Sequence, residues 1–305
     1  MADWTVPPAF VEANAAAPER LDWAATAPGL AARLADEWSL APDGPARAGH
    51  MGAVWPVRDA DDRPLVLKLG CDPVAVAAEA NALSAWAGRG TAAGLERADT
   101  GAGAILLERL DADRDLTADI EADEATRIIA DLLARSATPA PDGVPAYAGE
   151  AERVRTSIEA HRTAKGEVVP AFAVDAALDT LAELAASRDR RLLHFDAHYR
   201  NVLPTLPGAA DPGWRLIDPL PHAGPPEIET VAALRNRFGE ACGTGDPDRA
   251  LRRRLALFAD RLGLDPGLAR RTAHAIAVDN LLWLLPDRAD HPFVGPYRVM
   301  LGWVR

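Results

Sequence analysis

The densest run of polar side chains lies between two short apolar stretches and extends from His194 to Asn201. Asp196 and Asn201 are five residues apart, and Asp218 follows the next apolar stretch, at 214–217. Two carboxylates and an amide that meet at strand ends suit a hard divalent cation. A carboxylate near a hydroxyl can also accept its proton. This spacing is typical of phosphoryl transfer, with Asp196 as the base and with Asn201 and Asp218 on the metal.

Other interpretations of this loop stay open. Taken alone, an Asp or Asn here is typical of a residue that caps a turn. His194, Asp196 and His198 also alternate, and a strand would place such a triplet on one face, where it could bind zinc. A hydrolytic zinc site usually has further ligands, and His222 is the nearby candidate. For His194 we favour a structural role, in which the ring bonds the loop backbone.

A single lysine interrupts the apolar strand predicted over residues 65–69. Because a buried ammonium needs an anion, we expect Lys68 to pair with Glu79 on the next predicted helix. Such a pair orients the lysine toward nucleotide phosphates, whereas the alternative is a solvated lysine at a sheet edge. Gly49 and Gly52 could let backbone N–H groups approach the phosphates, although the full G-x-G-x-x-G pattern is absent.

The apolar periodicity predicts two parts of different class. Residues 9–40 have helical spacing that we expect to be broken at Pro18 and Pro28. A strand and loop are then predicted at 46–57, strands at 65–69, 93–98 and 103–110, and one helix at 74–87. Beyond these, helices are predicted at 118–136, 149–164, 173–187, 227–240, 247–262 and 266–285, with one β-rich interruption at 190–220.

This order predicts an α+β protein with two lobes and a cleft between them. The first lobe, 1–111, is small and β-rich, carries an N-terminal helical extension and would bind the nucleotide. Its last strand ends near Glu108 and Leu110, where an adenine would be held by backbone groups. The second lobe, 112–305, is larger, mainly helical, and holds the polar loop and the substrate.

Composition narrows the function classes. The chain has 305 residues, is 49% hydrophobic and carries a net charge of −12. The composition is that of a folded protein, and the acidic balance disfavours nucleic acid and anionic membrane partners. Two cysteines cannot form a disulfide framework.

No apolar run reaches about 18 residues and no signal peptide is evident, so we expect a cytoplasmic protein without a membrane span. The oligomeric state is not predicted.

Together these residues resemble the aminoglycoside phosphotransferases of the protein-kinase-like superfamily, and within them the branch of streptomycin 6-kinases and hydroxyurea phosphotransferases. The resemblance extends from about residue 25 to 285. Its motifs are Val66-Leu67-Lys68-Leu69, Glu79 with Ala82, Leu83 and Trp86, Leu106 through Leu110, Leu193 through Leu203, Trp214 through Pro219, and Asn280 through Trp283.

The resemblance implies a protein-kinase-like two-lobed fold and the use of ATP and Mg²⁺. Asp196 would then be the base, Asn201 and Asp218 would bind the metal, and Lys68 would contact phosphate. The acceptor would be a hydroxyl of a small polar molecule, cationic or neutral, such as the aminoglycoside streptomycin. The alternatives are a kinase for a sugar or hydroxyurea, and a nucleotide-binding relative without turnover.

The chain departs from the pattern of this branch at several positions. Phe195 stands where a small residue is usual, and Ala197 replaces the leucine after the base. Downstream, two aspartates of the branch are replaced by Pro225 and Glu229. Since these acids support the loop and the substrate side, we expect Glu227, Glu229 and His198 to lie near the acceptor. The two glutamates, with Glu240 and Asp246, would then favour a cation, whereas the alternative is that these acids lie on a solvated helix face.

Overall fold

The computed structural model describes residues 4–49, 51–118, 120–165 and 168–304. The chain forms two compact units. Unit 1 comprises Met1–Asp111 and Thr205–Gly213, and unit 2 comprises Ala112–Pro204 and Trp214–Arg305. The sequence-based division after residue 111 coincides with this split, apart from the short Thr205–Gly213 segment of unit 1.

Unit 1 begins with two helices, α1 (Pro8–Ala13) and α2 (Pro18–Trp38). Pro18 occupies the first turn of α2, where a missing N–H costs nothing. The expected break at Pro28 is wrong, because α2 continues through it. The apolar face of α2 carries buried residues on both sides of the proline, and this packing offsets one lost hydrogen bond. These residues are Ala24, Ala27, Ala31, Leu34, Ala35 and Trp38.

The sheet of unit 1 is antiparallel, and its strands lie in the order β1 (Ala41–Pro42), β3 (Gly52–Arg58), β4 (Pro64–Gly70), β6 (Ala104–Glu108) and β5 (Leu95–Asp99), with β2 (Arg47–Ala48) paired to β3. On β4, Leu65, Leu67 and Leu69 are buried in the core that also includes α2. Because side chains alternate along a strand, Lys68 points to the other face. Helix α3 (Pro73–Ala85) follows β4.

Unit 2 is mainly helical, and two small two-stranded sheets hold its polar loop, one formed by β7 (Arg191–Leu193) and β10 (His222–Gly224) and the other by β8 (Val202–Pro204) and β9 (Trp214–Leu216). Its first helix starts at Ala122, later than predicted, and residue 119 lies outside the described residues. The α-helices are α4 (Ala122–Ser136), α5 (Tyr147–Lys165), α6 (Ala171–Ala185), α7 (Thr230–Leu234), α8 (Phe238–Gly243), α9 (Pro247–Leu262), α10 (Pro266–Leu284) and α11 (Val294–Leu301).

The single helix predicted over 227–240 is wrong. A 3₁₀ turn (Pro226–Glu229) precedes α7, and Arg237, at φ 52°, separates α7 from α8. The break is stabilised by tertiary hydrogen bonds, since Arg237 donates to the carbonyls of Leu116 and Ile120 at 2.8 Å. Helix α11 was not predicted at all. No helix in the described part of the chain is long and apolar enough to cross a membrane.

Candidate active site

A buried carboxylate shapes the turn that carries Asp196. The loop leaves β7 at Leu193, and Phe195 adopts φ 68°, in the left-handed region. Glu229, which is 3% exposed, accepts hydrogen bonds from the backbone N–H groups of His194 at 2.5 Å and Phe195 at 2.9 Å. Both oxygens of Glu229 therefore hold the strained turn, and they fix where Asp196 leaves the backbone.

His194 lies beneath the same turn as a neutral structural histidine. Its Nε2 is 3.0 Å from the carbonyl oxygen of Ile217, and its Nδ1 accepts from the N–H of Asp196 at 3.4 Å. Burial lowers the pKa of His194 to about 4, so the ring donates through Nε2. With both nitrogens engaged the ring has no lone pair for zinc, and the described residues contain no metal-binding group of three His, Cys, Asp or Glu side chains. The surroundings of His194 therefore do not support the zinc interpretation.

Asp196 lies among four polar neighbours. Its Oδ1 accepts from Arg235 Nη2 at 2.9 Å, and its Oδ2 is 3.3 Å from Asn201 Nδ2 and 3.6 Å from His198 Nε2. Burial raises the pKa of the Asp196 carboxyl, while the charges of His198 and Arg235 lower it and that of Asp218 raises it. The carboxylate is thus held by two hydrogen-bond donors, Arg235 and Asn201, and is more basic than an exposed one, which suits a proton acceptor.

Asn201 and Asp218 are brought together by the β8–β9 pairing. Val202 pairs with Leu216, and the Ile217 N–H donates to the Asn201 carbonyl at 3.0 Å. The Asn201 amide donates through Nδ2 to the Asp196 carbonyl at 3.0 Å, so the amide atom that could bind a cation is its oxygen, Oδ1. Asp218 is exposed and adopts φ 55°. This set of oxygen donors fits Mg²⁺.

In unit 1, the expected pair between Lys68 and Glu79 is confirmed. The Lys68 ammonium lies 2.8 and 2.7 Å from the two carboxylate oxygens of Glu79. The side chains are 16% and 7% exposed, so the charges are largely withdrawn from water. Lys68 reaches Glu79 because β4 turns it away from the leucine face and toward α3.

Comparisons with known proteins decide the family. A family model described as aminoglycoside/hydroxyurea antibiotic resistance kinase matches residues 37–287, most of the chain. The chain belongs to this kinase family. It is a small-molecule kinase, a phosphotransferase with an alcohol group as acceptor, and the predicted family and enzyme class are confirmed.

Individual relatives agree with this assignment. The kinase is 33% identical over 266 residues to a streptomycin 6-kinase of Streptomyces glaucescens, covering 87% of this chain and 85% of that protein. It is 37% identical over 268 residues to a hydroxyurea phosphotransferase of Kitasatospora aureofaciens, covering 85% and 74%. A thermostable mutant of aminoglycoside phosphotransferase APH(4)-Ia, solved as a ternary complex with AMP-PNP and hygromycin B, has a TM-score of 0.53 at 17% identity, covering 90% and 97%. This likeness confirms the predicted kinase-like fold.

Four other predicted nucleotide residues of the kinase have structural contacts in unit 1. The Gly49 N–H donates to the Gly52 carbonyl at 2.8 Å, and residue 50 between them lies outside the described residues. A Cβ on Gly52 would lie 2.1 Å from the carbonyl oxygen of Leu69, so the tight β3–β4 approach itself requires glycine. Glu108 Oε2 accepts from the Gly94 N–H at 3.0 Å, and Leu110 pairs with Thr205.

The predicted substrate residues of the kinase have different surroundings. Glu227 is 7% exposed and its Oε1 accepts from the Asp265 N–H at 3.4 Å, next to the start of α10. Glu229 holds the loop, as described above. The expectation that these two carboxylates face the acceptor is therefore corrected, because both are buried against backbone donors. His198 lies beside Asp196, and its Nδ1 accepts from the Arg200 N–H at 3.2 Å.

Sequence reasoning missed two features of the kinase loop. Arg235 bonds Asp196 from a position 39 residues downstream, and no local motif indicates it. Phe195 packs its ring 4.4 Å from His222 and 5.9 Å from Tyr147, measured between centroids. The aromatic residue at this position thus anchors the turn to β10 and α5, which explains how the turn accommodates a large side chain.

The buried Glu229 makes the stability of this kinase depend on pH. Burial raises the pKa of Glu229 to about 7, from 4.5, against the opposing backbone hydrogen bonds of Phe195 and His194. Because the folded pKa is the higher one, Glu229 contributes stability that is fully present below about pH 4.5 and lost as the pH rises through about 7. We expect the difference in unfolding free energy between the wild type and Glu229→Gln to fall by on the order of 3 kcal/mol over this range.

Urea unfolding from pH 4.5 to 8 measures this difference. Glu159→Gln, which changes an exposed glutamate on α5, is the matched control and should parallel the wild type at every pH. If the Glu229→Gln curve also parallels the wild type, the buried carboxyl does not titrate in this range.

Proposed function

We propose that this kinase transfers the γ-phosphoryl group of ATP to a hydroxyl of a small polar acceptor, with streptomycin as the leading candidate. The observation that carries the proposal is the arrangement of unit 2, in which Asp196 contacts Asn201 and Asp218 follows the strand paired beside them. The chain is 33% identical to a streptomycin 6-kinase over 87% of its length, which supports streptomycin as the acceptor.

In the proposed reaction, Asp196 accepts the proton of the acceptor hydroxyl. The hydroxyl oxygen then forms a bond to the γ-phosphorus while the bond from that phosphorus to the bridging oxygen breaks, and ADP leaves with the electron pair. The products are a phosphate monoester, ADP and the proton on Asp196. The donors from Arg235 and Asn201 keep the carboxylate oriented for this transfer.

Asn201 Oδ1 and the Asp218 carboxylate would hold Mg²⁺, which would neutralise charge on the phosphates. Lys68, oriented by Glu79, would contact a phosphate of the nucleotide. Backbone groups near Gly49, Gly52, Glu108 and Leu110 would bind the rest of ATP. Each of these four residues also has the structural contact described above.

The charge of the chain favours the cationic candidate. With a net charge of −12, the kinase would attract a polycation and repel an anionic acceptor such as a sugar phosphate. Hydroxyurea, a neutral molecule, is the second candidate, because the chain is 37% identical to a hydroxyurea phosphotransferase.

The test is an acceptor screen with the purified kinase and ATP. Streptomycin, a second aminoglycoside, hydroxyurea and a neutral sugar are each incubated with enzyme, and ADP release is compared with the mass gain of the acceptor. We expect a single phosphate on streptomycin, with ADP formed in equal amount. If hydroxyurea alone is phosphorylated, hydroxyurea and not streptomycin is the acceptor. ATP binding without transfer to any compound would overturn the proposal.

Metal dependence gives an independent expectation. Since the candidate ligands are oxygens, we expect transfer to need Mg²⁺ or Mn²⁺, to fall to background with EDTA, and to recover when Mg²⁺ is returned. A zinc-selective chelator serves as the control and should leave the rate unchanged. Stoichiometric zinc in the purified enzyme, measured by elemental analysis, would contradict the Mg²⁺ assignment.

A further inference from the structure

A guanidinium holds one oxygen of the Asp196 carboxylate. Arg235, which follows α7, donates from Nη2 to Asp196 Oδ1 at 2.9 Å, and the two side chains are 26% and 23% exposed. The contacts of Oδ2 are longer, at 3.3 Å to Asn201 and 3.6 Å to His198. A charge-assisted bond of normal length restrains the carboxylate most strongly, so Arg235 is the main restraint on its orientation.

Arg235 is itself held by aromatic residues near the C-terminal helix. Its Cζ lies 5.2 Å from the centroid of the Phe293 ring. Phe293 in turn meets Tyr297 edge to face, with centroids 6.2 Å apart, and Tyr297 is fully buried in α11.

This aromatic support lies outside the part of the chain that defines the family. The family model ends at residue 287, whereas Phe293 and Tyr297 follow it. A guanidinium over a ring face is stabilised by the ring quadrupole, and the effect grows as water is excluded. The contact therefore limits the positions from which Arg235 can reach Asp196.

We propose that Arg235 is a positioning residue for Asp196 and that Phe293 and Tyr297 keep it in place, so that the segment after residue 287 sets the geometry of the base. This inference rests on the proposed phosphotransfer, in which Asp196 accepts the proton. With Oδ1 fixed by Arg235, Oδ2 is the oxygen with the weaker donors and is the one that meets the acceptor hydroxyl.

The size of the effect follows from the geometry of proton transfer. The reacting atoms must approach within hydrogen-bond distance, and a misplacement of about 1 Å can cost roughly 10²-fold in rate. Loss of Arg235 frees rotation of the carboxylate without touching Asn201 or Asp218. We therefore expect the loss of Arg235 to lower the turnover number and to leave the affinity for the nucleotide unchanged.

The test compares Arg235→Gln, Arg235→Lys and Phe293→Leu with a matched control, Arg288→Gln. Arg288 makes a similar contact, 4.9 Å from the centroid of Trp283, but at an exposed ring. We expect kcat to fall about 10²-fold in Arg235→Gln with KM for ATP within about twofold. Arg235→Lys should recover part of kcat, and Phe293→Leu should lose about tenfold, the scale of one cation–π contact. Arg288→Gln should match the wild type.

Wild-type kcat in Arg235→Gln or Phe293→Leu would overturn the inference, as would equal losses in kcat and ATP affinity. Thermal melting shows whether each variant is folded. If Arg235→Gln does not fold, Phe293→Leu and Arg235→Lys still test the inference.

Crystal structures of the wild type and Phe293→Leu separate this inference from the proposed function. We expect the Asp196 carboxylate to turn away from Arg235 in the variant while the 194–201 backbone is unchanged. An unmoved carboxylate contradicts the positioning role whatever the acceptor proves to be. A wild type that transfers no phosphate contradicts the proposed function and leaves the crystallographic test intact.

Discussion

Replacing Asp196 with Asn is expected to lower turnover by roughly 10²- to 10⁴-fold, the scale of general-base catalysis. Asn keeps the shape of the side chain and can still accept the hydrogen bond from Arg235, but it cannot take a proton. Because Asp196 is assigned to neither nucleotide nor phosphate, the Kd for ATP should stay within about twofold. Steady-state transfer assays and isothermal titration measure the two quantities.

The matched control is Asp175→Asn, which changes an exposed aspartate that pairs with Arg162 on the surface of unit 2. An exposed pair contributes little, so this variant should keep wild-type turnover. Near-native turnover in Asp196→Asn would end the assignment of Asp196 as the base.

The second large effect concerns the Lys68–Glu79 pair, because both side chains are mostly buried. Glu79→Ala removes the carboxylate that contacts the Lys68 ammonium through both oxygens, so it should lower the free energy of unfolding, by at most about 3–5 kcal/mol. The double variant Lys68→Met/Glu79→Leu replaces both charges with apolar groups. It should regain most of that stability but still fail in transfer, because the phosphate contact of Lys68 is absent.

Urea unfolding and transfer assays on the two variants separate the structural role of the pair from its role toward the nucleotide. A double variant that is both stable and fully active would show that Lys68 serves the fold alone. Loss of stability equal to that of Glu79→Ala would instead show that β4 and α3 depend on the charges themselves.

Much of the loop was predictable because its chemistry is local. Asp196 and Asn201 are five residues apart, and a short strand pair brings Asp218 to them. The Lys68–Glu79 pair was also predictable, since one charge within an apolar strand requires a nearby anion. In each case the residues that meet in the structure are close in sequence or lie on neighbouring elements, so a local pattern is enough to predict their contact.

The restraints on the loop come from distant residues and could not be read from a pattern. Glu229 bonds the backbone of His194 from 35 residues away, and a glutamate in a helical pattern looks the same whether it is buried or exposed. Arg235 was hidden within the helix predicted over 227–240, which Arg237 interrupts by bonding carbonyls of another segment. Tertiary hydrogen bonds of this kind override the local helical periodicity.

The central claim is that the γ-phosphoryl group moves from ATP to the acceptor hydroxyl with Asp196 as base. The most direct measurement is a single-turnover reaction with γ-³²P-labelled ATP, Mg²⁺, streptomycin and excess enzyme, in the wild type and Asp196→Asn. We expect the label to appear on streptomycin with the wild type and to stay on ATP with the variant over the same time. Label that passes only to inorganic phosphate, or equal transfer by the two proteins, would contradict the claim.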